Sequence, residues 1–294
     1  MKIALVTDST SVLTKKEAED NNVIVTPIPI IVGDKEYLEG VNITASQLFD
    51  MQRAGADFPK TSQPAIGEMI ELFDKLHAEG YDAIIAITLS SGISGFYETL
   101  QTMARNNPQY GLYPYDSKLT VRLQGYLVLA AARMIKAGYE PEDILNRLDQ
   151  IRDTMDEIFV VDDLKNLSRG GRLSNASAFI GTMLHIKPLL TFKDGKIVAF
   201  DKIRSLKRAV SKVEELALER TSKLSYHDKL RLLIFHSNDA KQAEGIKEFV
   251  EENFPGRPVD VTEFSPVIAT HLGEKSIALA WMIDINQIDF NNKN

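Results

Sequence analysis

Short apolar segments alternate with helical segments through the first half of the chain. In residues 83–106, AIIAITLSSGISGFYETLQTMARN, a continuous apolar run ends in a Ser/Gly cluster and a helical pattern follows. Strands that alternate with helices at this spacing favour an α/β fold with a mostly parallel sheet and flanking helices. In such a sheet, binding groups are expected at the carboxyl ends of the strands.

Cap and turn residues delimit the neighbouring segments. Thr44 is a predicted N-cap, and Pro64 is predicted to lie in the first turn of the following helix. Thr61 and Ser62 would then lie at the start of that helix, as a second hydroxyl cluster. The segment VIVTPIPIIVG is predicted to be a second strand broken by Pro27 and Pro29, which place part of it at a sheet edge or in a bend.

The second half has a different pattern, in which strands and helices mix without regular alternation. Asp-Gly within residues 193–196 is a strong hairpin signal, and an apolar helix is expected to run through Leu184. We therefore predict two domains, an N-terminal α/β domain over residues 1–155 and a C-terminal α+β domain over residues 156–294.

Composition excludes several classes of protein. The 294 residues include no cysteine, which excludes disulfides, thiolate metal sites and a cysteine nucleophile. No stretch reaches the roughly 18 apolar residues of a membrane span, and the N-terminus lacks a signal-peptide core. We expect a cytoplasmic protein without an integral membrane segment and without a cofactor. The net charge of −7 argues against general nucleic-acid affinity.

The charge is unevenly distributed. Residues 165–212 contain eleven Lys or Arg and two Asp, a local charge of +9, which leaves about −16 for the rest of the chain. Such a segment is typical either of a surface that meets an anion or an acidic partner, or of a solvated face. The spacing of these residues does not separate the two interpretations.

The Ser/Gly cluster after the strand at residues 83–88 suits an anion. Gly92 and Ser94 lie in a loop that directs backbone N–H groups and a helix N-terminus at one point, as in oxyanion sites. A simple helix cap is the alternative. The loop lacks the lysine of a P-loop, and its glycine spacing departs from that of a nucleophile elbow. A serine hydrolase with Ser94 as nucleophile and His236 as a distant base remains a second hypothesis.

A third cluster is basic. In the segment SRGGRLS, residues 168–174, glycines permit close backbone approach, and Arg172 offers a planar group suited to carboxylate or phosphate. Arg204 and its basic neighbours reinforce this cluster from another turn. His271, in IATHLGEKS, precedes a glycine-containing turn and is expected near a helix start.

Four segments taken together resemble the DegV family of fatty-acid-binding proteins. They are DSTS, TSQP, SSGISG and SRGGRLS, and THLG is similar to the family's His-x-Gly segment. The matches are spread in the family's order from residue 8 to residue 273, so the resemblance covers nearly the whole chain.

The resemblance implies two α/β domains that bury one long-chain fatty acid, and a carrier role rather than catalysis. Such a carrier presents the acid to a fatty-acid kinase, whose catalytic subunit is dihydroxyacetone-kinase-like and forms the acyl phosphate. By position, Thr61 and Ser94 would bind the carboxylate with His271 close by, and we include Ser62 and Gly92 in that ligand-binding set. Arg169, Arg172 and Arg204 would face the kinase and the incoming phosphoryl group.

The sequence therefore supports three hypotheses of different kinds. The first is a fatty-acid carrier for a kinase, the second is the serine hydrolase acting on acyl esters, and the third is a regulatory module that binds an anionic metabolite or nucleic acid through residues 165–212. About fourteen buried methylenes would contribute on the order of 11 kcal/mol before association costs. On the first hypothesis, lipid should stay bound through purification.

Overall fold

The computed structural model describes residues 1–174 and 186–291. Its strands are β1 (Ile3–Asp8), β2 (Val23–Thr26), β3 (Pro29–Val32), β4 (Lys35–Leu38), β5 (Lys60–Thr61), β6 (Ala83–Thr88), β7 (Leu112–Asp116), β8 (Asp156–Val160), β9 (Lys187–Lys193), β10 (Lys196–Ile203), β11 (Leu230–His236), β12 (Val259–Glu263) and β13 (Ile277–Ile283). Its helices are α1 (Lys15–Asp20), α2 (Ala45–Arg53), α3 (Ile66–Ala78), α4 (Phe96–Asn106), α5 (Val121–Lys136), α6 (Pro141–Arg152), α7 (Lys165–Gly170), α8 (Leu206–Thr221), α9 (Ala240–Asn253) and α10 (Pro266–Leu272). The apolar helix expected through Leu184 lies outside the described residues.

The N-terminal half is built on a parallel sheet, as predicted. Its strand order is β2-β1-β6-β7, with every pair parallel. All six residues of β6 are buried, because helices cover both faces of the sheet. Ile84 and Ala86 pack with α3 and α4, whereas Ile85 and Ile87 face the other way, toward a second core. This alternation puts the loop after β6 at the carboxyl edge of the sheet.

The segment VIVTPIPIIVG forms two strands in different sheets. It supplies β2 to the parallel sheet and β3 to a small antiparallel sheet of order β4-β3-β5. The predicted break lies at Pro27, and β2 is an edge strand of the parallel sheet, but the segment after the break forms a separate strand that begins at Pro29. Thr61 lies in β5, paired with Ile30, rather than at a helix start. The next helix begins at Ile66, so Pro64 precedes it and is not in its first turn.

The C-terminal half contains a mixed six-stranded sheet of order β10-β9-β8-β13-β11-β12. The Asp-Gly hairpin prediction is confirmed, because β9 and β10 pair across residues 193–196. Along β8 the side chains alternate: Ile158 and Val160 pack with α8 and α9, and Phe159 faces the other core. We propose the domain boundary at residues 155 and 156, since the first strand of this sheet begins at Asp156.

One hydrophobic core joins the two halves. It includes side chains from the parallel sheet, from α5, and from the inner face of the six-stranded sheet, where Phe235 and Ala280 lie. The short helix α10 lies at this junction, where Ala269 packs on Ala45 and Phe49 of α2. His271 is in the last turn of α10, so its expected place near a helix start was wrong.

Candidate functional site

A partly open cavity of about 290 Å³ lies between the two halves of the molecule. Its wall is mainly apolar and is drawn from both halves. The apolar lining residues are Ile28, Leu89, Ile93, Leu119, Val121, Leu123, Phe159, Phe192, Ile197, Phe235, Phe264, Val267, Ile268, Leu272 and Ala278. A space of this chemistry suits a hydrocarbon group, because each buried methylene contributes about 0.8 kcal/mol.

Polar side chains from separate segments of the chain also line the cavity. The polar cluster is defined here as the predicted site residues among them, Thr61, Ser62, Ser94, Arg172 and His271, and Gln63 lines the cavity next to Ser62. Thr61 Oγ1 lies 2.7 Å from Nε2 of His271, across 210 positions of sequence. The hydroxyl cluster at residues 61–62, the loop after β6 and the THLG segment therefore all contribute to the cavity wall.

The helix that carries His271 is held in place by the N-terminal half. Glu39, at the end of β4, accepts a hydrogen bond of 2.7 Å from the backbone N–H of Val267 in the first turn of α10. Ser9 donates its hydroxyl proton to the same carboxyl group. A carboxyl group suits this position, because its oxygen satisfies an N–H at the start of the helix that has no partner within the helix. Part of the DSTS segment therefore positions His271 indirectly.

Asp8, the first residue of the DSTS segment, has a structural role. Its buried carboxyl group accepts hydrogen bonds from the backbone N–H of Leu89 and from the side chain of Gln124. Burial raises the pKa of Asp8, while hydrogen bonds from Thr10, Leu89 and Gln124 act in the opposite direction. Asp8 thus ties β1 to the first residue of the Ser/Gly loop and does not line the cavity.

His271 is uncharged at neutral pH. Burial lowers its pKa to about 4, and the positive charge of Arg172 acts in the same direction. Its Nδ1 is buried with no partner among the described residues, so we assign the proton to Nε2, because an orphaned donor is the rarer case. Nε2–H then donates to Thr61 Oγ1, which leaves the Thr61 hydroxyl proton free for a ligand.

Arg172 lies in the cavity wall instead of on the surface. Its Nε donates to the carbonyl oxygen of Ile93 at 3.1 Å, and its Nη1 donates to the carbonyl oxygen of Gly170. It makes no ion pair with any residue in 1–174 or 186–291. Burial lowers its pKa, although a guanidinium stays charged at neutral pH. The cavity therefore contains a positive charge that can meet an anion.

The serines of the Ser/Gly loop have different partners. Ser90 donates to the carbonyl oxygen of Gly195 at 2.6 Å, and Ser91 donates to the carboxylate of Asp116 at 2.6 Å. Ser94 lines the cavity, and its hydroxyl oxygen accepts from the backbone N–H of Phe96. Gly95, the N-cap of α4, also lines the cavity, so the positive end of this helix lies close to it. Of these three, Ser94 alone is placed for ligand contact.

Gly92 has a packing role. It does not line the cavity, and a Cβ at this position would lie 2.1 Å from the carbonyl oxygen of Gly195 in the β9–β10 turn. The hairpin of the C-terminal half therefore requires glycine here. This close approach corrects our assignment of Gly92 to the ligand-binding set. Ser62 lines the cavity, and its hydroxyl donates to the carbonyl oxygen of Gln63.

The other two predicted arginines lie outside the cavity. Arg169 is exposed and stacks over the ring of Phe58 at 5.4 Å. Arg204 is exposed in a basic surface formed by Lys202, Arg204, Lys207, Arg208 and Lys212 around an open groove. Arg204 directly follows Ile203, which pairs with Lys187, and Lys187 in turn reaches Asp162 after β8. The basic surface thus lies at the same end of the sheet as α7.

Hydrolase geometry is absent from the described residues. Ser94 makes no hydrogen bond to a histidine, and His236 does not line the cavity. His271 lacks the carboxylate that orients a catalytic base, because its Nδ1 has no described partner. The described residues also contain no cluster of three potential metal ligands, and none of their helices is long and apolar enough to cross a membrane.

Sequence reasoning missed two polar residues in the apolar part of the cavity. Glu157 on β8 and Thr120 before α5 both line it, and both are buried. Within EIFVVDD, Glu157 has the pattern of a strand-end acid. The side that it faces depends on which sheet face is buried, and this follows only from the packing of both halves.

Comparisons with known proteins agree with this architecture. A family model described as "Uncharacterised protein, DegV family" matches residues 2–284. Protein DegV of Bacillus subtilis is 37% identical over 282 residues, which cover 96% of this chain and 99% of that protein. A DegV domain-containing protein of Listeria innocua is 39% identical over 282 residues, with coverage of 96% and 99%.

Solved structures match over nearly the whole chain. The crystal structure of DegV from Bacillus subtilis, described as a fatty acid binding protein, has a TM-score of 0.87 at 36% identity and covers 97% of this chain and 100% of that chain. A fatty acid binding DegV family protein from Streptococcus agalactiae has a TM-score of 0.89 at 35% identity, with coverage of 97% and 99%. The sequence-based prediction of the fold is confirmed.

Proposed function

The chain belongs to the DegV family, and on this premise we propose that it binds one long-chain fatty acid in the cavity between its halves. The observation that carries the proposal is a mainly apolar cavity with a polar cluster on its wall. A fatty acid has the same division into hydrocarbon and anion. Two relatives of 35% and 36% identity are described as fatty acid binding proteins, which supports the same ligand class.

The polar cluster would hold the carboxylate. Thr61 and Ser94 donate hydroxyl protons, and the α4 N-terminus adds backbone N–H groups. Arg172 supplies the positive charge, since an isolated carboxylate in an apolar site is strongly disfavoured. His271 is a positioning residue that keeps the Thr61 hydroxyl turned toward the ligand. In this arrangement the carboxylate is bound and no group is placed to attack it, so the protein would act as a carrier.

Lipid analysis of the purified protein tests this function. Native mass spectrometry and solvent extraction should recover fatty acid, and titration of delipidated protein should restore binding. The double variant Thr61→Val with Ser94→Ala should weaken binding more than tenfold, because each lost charge-assisted hydrogen bond contributes about 1.5–3 kcal/mol. The matched control is Ser222→Ala, an exposed serine at the end of α8. Failure to recover or bind any fatty acid would contradict the proposal.

The basic surface suggests where the carrier meets its enzyme. Arg204, Lys207 and Arg208 make no ion pair with a described residue and lie at the sheet end that carries α7. On an acidic protein, such a surface favours an acidic partner and speeds association. The partner that fits the family resemblance is the dihydroxyacetone-kinase-like subunit of a fatty-acid kinase, which would phosphorylate the presented acid in the cytoplasm.

A pair of arginine variants separates docking from binding. Arg204→Ala should leave fatty-acid binding unchanged and reduce acyl-phosphate formation by the kinase at subsaturating carrier concentration. Arg105→Ala, on an exposed position near the end of α4, is the control and should change neither. Equal turnover by the wild type and both variants would show that the basic surface is not the docking site. Added salt should slow the reaction of the wild type more than the reaction of Arg204→Ala, because it screens the charge of the basic surface.

A further inference from the structure

Two buried polar groups occupy the part of the cavity that a hydrocarbon chain would fill. Glu157 and Thr120 each expose 7% of their surface, and both line the cavity. Glu157 lies opposite Phe192 of β9, which pairs with Ile197 of β10. Ile197 in turn bridges Leu173, the residue next to Arg172 of the polar cluster. Three strand spacings of about 4.8 Å therefore separate Glu157 from this part of the polar cluster, about 14 Å across the sheet.

Glu157 has hydrogen-bonding capacity that the described residues do not use. Its Oε1 accepts from the backbone N–H of Phe192 at 2.6 Å and from the Thr191 hydroxyl at 3.1 Å. The described hydrogen bonds to the carboxyl group all end on Oε1. Burial raises the pKa of Glu157 to about 8, so the group carries a proton at neutral pH. A neutral carboxyl group offers an O–H donor in addition to its acceptors.

Thr120 is also left with a free group. It occupies the N-cap position of α5 but makes no cap hydrogen bond, and its Oγ1 has no partner among the described residues. The next residue, Val121, has φ 52°, a left-handed conformation that a β-branched residue rarely adopts. Strain of this kind is typical of ligand sites. Thr120 and Glu157 both line the cavity, and Leu119, which precedes Thr120, also lines an outer depression together with Glu157.

On the basis of the proposed function, we infer that Glu157 and Thr120 form a polar subsite that binds an oxygen substituent, a hydroxyl or oxo group, on the acyl chain. A plain hydrocarbon leaves the buried Thr120 hydroxyl without a partner, which is costly in an apolar wall, and it cannot use Oε2 of Glu157. An oxygen on the chain accepts from the Glu157 carboxyl, and a hydroxyl donates in return. The ligand class then includes hydroxy fatty acids as well as unsubstituted ones.

Competition binding to delipidated protein tests the subsite. The ligands are stearic acid and a series of hydroxystearic acids that differ in the position of the hydroxyl. In the wild type, at least one hydroxy acid should bind as tightly as stearic acid. Glu157→Leu should lower the affinity ratio of that hydroxy acid to stearic acid by roughly tenfold, because one hydrogen bond is lost and a hydroxyl is buried unpaired. Ile197→Val, also in the cavity wall, should shift both ligands equally.

Each outcome separates this inference from the proposed function. If every hydroxy acid keeps the same ratio to stearic acid in the wild type and in Glu157→Leu, the subsite holds water only and the inference is wrong. If stearic acid itself does not bind the wild type, the proposed function fails first and the inference falls with it. Should Glu157→Leu not fold, a crystal structure of the wild type with the best hydroxy acid decides. A hydroxyl within about 3.5 Å of Glu157 or Thr120 supports the subsite, and a greater separation overturns it.

Discussion

Acid should destabilise the fold through His271. Its pKa of about 4 in the folded protein lies below the usual value of 6.5, because the ring is buried and near Arg172. As pH falls, the unfolded chain therefore takes up this proton before the folded protein does. Stability that is fully present above about pH 6.5 is lost as the pH falls toward 4. Between about pH 7.5 and about pH 5 the free energy of unfolding should fall by about 2 kcal/mol. This value follows from proton binding to one histidine whose pKa is 6.5 in the unfolded chain and about 4 in the folded protein.

Urea unfolding of delipidated protein measures this effect. The free energy of unfolding is determined at about pH 7.5 and about pH 5 for the wild type and for His271→Gln. The variant cannot titrate at this position, so the difference between the two proteins isolates His271 from Asp8, Glu39 and Glu157, whose raised pKa values act in the opposite direction. Thr61→Val is the control, because it removes the partner hydroxyl but keeps the imidazole.

The comparison has a clear refuting result. If the wild type and His271→Gln lose the same stability on acidification, His271 titrates normally, and its assignment as a neutral positioning residue is wrong. Bound fatty acid adds a second check. A carboxylate near the ring favours the imidazolium and raises its pKa, so saturation with ligand should reduce the wild-type acid effect.

Three further substitutions test other parts of the structure. Arg172→Met should weaken binding of a fatty acid more than tenfold but change binding of the matching fatty alcohol little, because the lost contact is with the charge; equal loss for both ligands in titrations would show that Arg172 acts by packing. Gly92→Ala should destabilise the protein by about 1–3 kcal/mol in thermal or urea unfolding, since its Cβ would lie 2.1 Å from the Gly195 carbonyl oxygen, whereas Gly67→Ala, with no atom within 4 Å of the added carbon, should be neutral or stabilising. Burial raises the Glu39 pKa to about 7, so the wild type should lose stability as the pH rises through that value. Glu39→Gln should lack this loss, and between about pH 5 and about pH 8 its free energy of unfolding should rise relative to that of the wild type by up to about 3 kcal/mol. If the stability difference between variant and wild type is the same at both pH values, Glu39 does not titrate in this way.

Local chemistry accounts for the elements that sequence predicted well. Thr44 caps α2 with a hydrogen bond to Gln47, and Asp-Gly turns the chain between β9 and β10. These signals depend on residues close in sequence, so they predict local structure correctly without knowledge of the tertiary packing. The fully apolar run of β6 likewise requires burial on both faces, which a parallel sheet between helices provides.

The failures arose where distant packing decides the outcome. Helix α10 has seven residues, five of them buried, which is too short and too apolar to show helical periodicity. Thr61 lies in a strand because Ile30 pairs with it across a sheet whose existence depends on the break after β2. Arg172 has the sequence pattern of a surface cation. Its place in the cavity follows only from the approach of the Ser/Gly loop, where the carbonyl oxygen of Ile93 accepts a hydrogen bond from its Nε.

Helix α10 belongs in sequence to the C-terminal half, yet residues of the N-terminal half hold both of its ends. Glu39 binds its first turn through Val267, and Thr61 binds its last turn through His271. Recombination between relatives at residues 155 and 156 would therefore separate the helix from both of its anchors. Chimeras of two family members should form both sheets but lose ligand binding, unless the segments around Glu39 and Thr61 come from the same parent as α10. Inheritance of this binding site is thus tied to the whole chain.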